Sequence, residues 1–68
     1  MQPKLLKSVR IKEEGERNGD YVELLKDGEV YIVRHQYTSM AKPREYRTND
    51  YEHANLCFLQ QALFILSD

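Results

Sequence analysis

Tyr21-Val22-Glu23-Leu24-Leu25-Lys26-Asp27-Gly28-Glu29-Val30-Tyr31-Ile32-Val33-Arg34-His35-Gln36-Tyr37 decides the fold of this 68-residue chain. Two runs rich in β-branched and aromatic side chains flank Asp27-Gly28, and such runs read as strands. Asp-Gly is a preferred centre for a two-residue hairpin turn, because a type I′ turn needs φ > 0 at both central positions. The expected pairing sets Lys26 against Glu29, Leu24 against Tyr31, Val22 against Val33 and Asp20 against His35. That face is apolar at its middle and is the expected core side. The other face sets Leu25 against Val30, Glu23 against Ile32 and Tyr21 against Arg34. It is mixed, whereas a half-buried hairpin should alternate cleanly between apolar and polar. Either some apolar side chains stay exposed, which is common, or a second surface covers this face.

Upstream, Leu5 to Glu13 reads as a first strand with Leu5, Val9 and Ile11 on one face. Lys7 interrupts the apolar face and Leu6 the polar one. The polar segment from Glu14 to Asp20 holds two glycines and Asn18-Gly19, which marks a turn. Downstream, Thr38 to Pro43 reads as a loop ended by a proline that cannot donate to a ladder. Arg44 to Thr48 is a candidate short fourth strand along the edge of the third.

The last element is a helix from about Asp50 to Leu66, on the order of 25 Å long. Asn49 followed by Glu52 reads as a capping box, and Asp50 and Glu52 suit the positive end of the helix dipole. Tyr51, Ala54, Phe58, Ala62 and Ile65 form one apolar stripe. Leu56, Leu59, Leu63, Phe64 and Leu66 widen the apolar arc beyond what one small sheet covers. A helix apolar nearly all round is normally buried on more than one side. No second helix is read in the chain, so those five residues are the expected contact of a homodimer. The whole chain, 1–68, is expected to form one α+β domain: a three-stranded antiparallel sheet, with a candidate fourth strand, and one C-terminal helix packed on it.

Size sharpens the dimer expectation. A domain this short buries only about 60% of its unfolded surface and commonly needs a staple. Cys57 is the single cysteine, so no disulfide can form within the chain. His35 and His53 do not complete a Cys/His metal pattern, and no metal or other cofactor is expected. Neither a signal peptide nor a membrane-spanning run is read, and a cytoplasmic location is the expectation.

Catalytic chemistry finds little support. Cys57 lies mid-helix among apolar residues, where burial favours the thiol. His53 is one turn away, but no third group with a clear role accompanies the pair. His35 opposite Asp20 reads as a surface pair, and Glu13, Glu14 and Glu16 read as a solvated acidic turn without a calcium-loop pattern. The three glycines, Gly15, Gly19 and Gly28, all fall in turns, so no phosphate loop is present. The chain is therefore not expected to be an enzyme.

Two binding readings remain. The formal net charge is −1, with the charge arranged in blocks. Lys7, Arg10, Lys12, Arg34, Lys42, Arg44 and Arg47, with Tyr37 and Tyr46 for stacking, would form a nucleic-acid surface. Some DNA-binding modules do present a small antiparallel sheet backed by a helix to the major groove. The same composition suits a protein interface, where Tyr, Arg and Met are enriched. The leading expectation is a small interaction or regulatory protein that binds another protein and itself. Its candidate partner surface comprises Tyr21, Glu23, Ile32, Arg34, Tyr37, Met40, Lys42, Arg44, Tyr46 and Arg47.

Overall fold

A computed structural model describes residues 2–11, 19–37 and 42–66. Four strands, β1 (Lys4–Arg10), β2 (Tyr21–Asp27), β3 (Val30–Gln36) and β4 (Arg44–Thr48), precede one helix, α1 (Tyr51–Leu66). The strands form a single sheet in the order β1-β2-β3-β4, each antiparallel to its neighbour. The fold is thus α+β, and Arg44–Thr48 is a true fourth strand.

The β2–β3 hairpin forms, but with its register two residues away from the expected one. Asp27 pairs with Val30, so Gly28 and Glu29 are the central turn residues. Gly28 has φ +64°, and no other residue type has positive φ among the described residues. Positive φ at the first central position alone fits a Gly-X turn of type II′ rather than Asp-Gly type I′. The physical reason for the slip lies across the strands. It sets Leu25 opposite Ile32, Leu24 opposite Val33, and Glu23 opposite Arg34. Glu23 then meets an opposite charge and Ile32 an apolar partner, whereas the expected register pairs Glu23 with Ile32. A slip of two residues preserves which face each side chain occupies, so the core side is the one expected.

A second correction concerns β1. Its pairing steps from Leu5 opposite Leu25 to Lys7 opposite Leu24, so Leu6 is an extra residue in a β-bulge. The bulge turns Leu5 to the face of Leu25 and separates it from Val9 and Ile11. It also explains the broken alternation at Leu6 and Lys7. The ladder continues past Arg10 through the backbone, where Ile11 N–H donates to Asp20 O at 2.8 Å and Gly19 N–H donates to Ile11 O at 3.2 Å. His35 stands opposite Val22, not Asp20.

The helix begins at Asp50 rather than with a capping box on Asn49. Asp50 Oδ1 accepts from the backbone N–H of Glu52 at 3.0 Å and of His53 at 3.4 Å. With Asp50 as cap, Glu52 is one position too early to close the box. The backbone N–H of Asp50 donates to Thr48 Oγ1 at 3.2 Å, which ties the helix start to the end of β4.

Ala54, Phe58, Ala62 and Ile65 face the sheet and join Ile11, Val22, Leu24 and Val33 in the core. The fifth member of the expected stripe, Tyr51, stays 40% exposed at the rim and sets its ring edge-on against Tyr31 at 5.3 Å. Two alanines among four core-facing positions leave no bulk between helix and sheet. The core is one layer deep, and among the described residues none covers Leu56, Leu59, Leu63 or Leu66 on α1.

Candidate functional site

The far side of α1 carries the largest exposed apolar side chains. Leu56, Leu59, Leu63 and Leu66 are 55%, 45%, 69% and 61% exposed. At 3.6 residues per turn they line up as one stripe, its centre turned by roughly 125° from that of the buried one. Phe64, also largely exposed, falls outside that stripe. Its ring lies tilted on Tyr37, with centroids 5.2 Å apart.

Tyr37 organises the flank of the helix. Its hydroxyl donates to Gln61 Oε1, and its ring also meets His35 at 5.1 Å. Burial raises its pKa above the usual tyrosine value, with Asp20 and Cys57 adding to the rise. Burial likewise lowers His35 below the usual histidine value, assisted by the Arg44 charge. Further along the same side, Tyr46 stacks near His53 at 5.4 Å, its hydroxyl 3.4 Å from both ring nitrogens. These contacts seat α1 on the ends of β3 and β4.

The sheet face away from the helix has a different character. Its middle row runs Ser8, Glu23, Arg34 and Glu45 across the four strands. Arg34 Nε donates to Glu45 at 2.8 Å and an Arg34 terminal nitrogen lies 3.8 Å from Glu23. Arg47 reaches the other Glu45 oxygen at 3.1 Å. The two guanidinium donors hold the Glu45 carboxyl below the ordinary glutamate pKa. Beside this row lie Leu25 and Ile32, both buried although no second layer of described residues covers them. The aliphatic stems of Arg34 and Arg47 and the Leu5 side chain share their face, and long charged residues commonly cover apolar neighbours in this way.

The expected partner residues are therefore not one surface. Tyr21, Glu23, Ile32, Arg34 and Arg47 belong to the open sheet face, where Ile32 keeps only 1% of its exposure. Tyr37, Arg44 and Tyr46 belong to the helix side, and Lys42 lies exposed just before β4. Met40, Lys12 and the Glu13, Glu14 and Glu16 cluster lie outside the described residues.

The cations divide likewise. Arg10 sits over the Tyr21 ring at 5.0 Å on the open face. Lys7, on the helix side, donates to Asn55 Oδ1 at 2.8 Å. Arg34 and Arg47 are engaged with carboxylates. Among the described residues no three His, Cys, Asp or Glu side chains converge as a metal site would require. Cys57 is a free cysteine, and burial raises its thiol pKa, the opposite of what a nucleophile needs. His53 is engaged with Tyr46. No helix among the described residues is long and apolar enough to cross a membrane.

Two features are not evident from the sequence pattern alone. The charged row required the correct hairpin register to be visible. The leucine stripe follows from the residue spacing, but in the sequence it merges with the general width of the apolar arc. Comparison with known proteins gives no match, whether to family models, curated proteins or solved structures.

Proposed function

We propose that this protein is a small non-catalytic interaction protein that works as a homodimer, with the outward face of α1 as the contact between copies. The observation that carries the reading is the stripe Leu56, Leu59, Leu63 and Leu66, each about half exposed or more. Monomers seldom leave such a contiguous apolar set in water, and patches of this kind mark interaction sites. Full burial of a leucine is worth about 1.5–3 kcal/mol, so completing the burial of eight half-exposed leucines contributes on the order of 10 kcal/mol. Association costs about 4–15 kcal/mol. The balance is small, so assembly should depend on protein concentration.

With the helix face occupied by a second copy, the open sheet face remains for a different protein. Tyr21, Glu23 and Arg34 present aromatic and charged groups of the kind enriched at such contacts. The cytoplasmic location expected from the sequence belongs to the same proposal. A nucleic-acid role has less support, because the described cations lie on two faces and Arg34 and Arg47 are held by carboxylates. It would require binding that weakens steeply with salt.

Sedimentation analysis over a wide concentration range tests the proposal. A monomer–dimer equilibrium abolished by a glutamate in the leucine stripe supports it. A well-folded monomer at high concentration would remove it.

A further inference from the structure

This inference rests on the dimer proposed above and deepens it. We propose that the two copies pair antiparallel, with the two-fold axis crossing the seam between Leu59 and Leu63. The intervals between Leu56, Leu59, Leu63 and Leu66 are three, four and three residues. That is the alternation of first and fourth heptad positions in a coiled coil, and it makes the stripe complementary to a copy of itself. In the antiparallel arrangement Leu56 meets the partner's Leu66, and Leu59 meets the partner's Leu63. Every layer is then leucine on leucine.

Charge chooses the direction. The seam position before Leu56 is Glu52, one turn earlier and exposed. Parallel pairing would set two Glu52 carboxylates against each other across the seam, which disfavours that orientation. Antiparallel pairing carries each Glu52 beyond the end of the partner helix. Lys7 adds a complementary charge. Its ammonium is held at Asn55, on the flank of the seam's N-terminal half. In the antiparallel dimer that flank lies beside the C-terminal turn of the partner helix. The C-terminal turn of a helix carries partial negative charge, and the last turn of α1 contains no basic residue.

The seam is short, about 15 Å from Leu56 to Leu66. An isolated peptide of that length would not pair. Here α1 is already ordered by its sheet, so little conformational freedom remains to be lost on association. Phe64 lies to one side of the seam and is engaged by Tyr37, so it is not one of the layers.

The test is a spin label at position 49, introduced as Asn49→Cys in a Cys57→Ala background, with pulsed dipolar distances measured on the full chain. Asn49 is exposed and precedes the helix, so Glu52 and the cap remain intact. Antiparallel pairing separates the two labels by about 36 Å along the seam, whereas parallel pairing brings them within label reach of each other. A long distance, lost on Leu63→Glu and on the milder Leu63→Ser, supports the proposal. A short distance in a dimer would overturn the orientation while leaving the dimer standing. A dimer unaffected by either Leu63 variant would overturn the seam. A folded monomer would overturn the dimer itself.

Discussion

Replacing Leu63 with glutamate places a carboxylate at the centre of the proposed seam, against the partner's Leu59. Leu63 is 69% exposed in the protomer, so the change removes little from the core and the sheet–helix packing should survive. The loss falls on association. Two-thirds of a leucine's burial is worth about 1–2 kcal/mol, and a symmetric dimer loses it twice. A loss of about 2–4 kcal/mol raises Kd by roughly 30- to 1000-fold before any penalty for burying charge. Sedimentation velocity across a concentration series reads that shift directly, with far-UV circular dichroism to show the fold retained. Leu63→Glu chains that dimerise as tightly as the parent would refute the reasoning. Failure of the variant to fold would show instead that Leu63 supports the protomer, contrary to its exposure.

Other outcomes follow from the core, the cap and the titrating groups. Phe58 is 4% exposed between helix and sheet, and Phe58→Ala should cost about 3–5 kcal/mol, enough to unfold much of so small a domain in a thermal melt. Asp50→Ala removes the side chain that accepts from Glu52 and His53 N–H, and should lower stability by about 1 kcal/mol in denaturant titration. His35 has a lowered pKa in the folded state, so between that value and its ordinary 6.5 the unfolded chain binds the proton more readily. Stability should therefore fall as pH drops below about 6.5, and His35→Gln should flatten that part of the profile. The lowered pKa of Glu45 acts in the same direction at more acidic pH: its contribution is present above the ordinary glutamate range and is lost as pH falls through its folded value.

The strands and helix are legible in the chain because each has a local cause: β-branched runs, a glycine turn, a polar cap and apolar spacing at helical period. The faces of the hairpin are legible too, since the two-residue slip leaves them unchanged. Register is not, because Asp27-Gly28 and Gly28-Glu29 are both acceptable turn centres. The choice between them is made at a distance, by Glu23 meeting Arg34 and Leu25 meeting Ile32. The bulge at Leu6 is similar. Its local sign is an alternation broken at two adjacent residues, and only the pairing with β2 shows which residue is extra. The candidate site divides along the same line. The excess leucines of α1 follow from helical spacing alone, whereas the partner residues drawn from composition scatter over two faces once the sheet is formed.

Sedimentation equilibrium of the unmodified chain tests the central claim most directly. The account predicts a mass that rises with concentration from one protomer to two and no further, because a two-fold contact closes on itself. Melting temperature should rise over the same range. A folded protein holding the mass of one protomer at the highest concentrations would contradict the account, and the leucine stripe would then have no partner in a second copy.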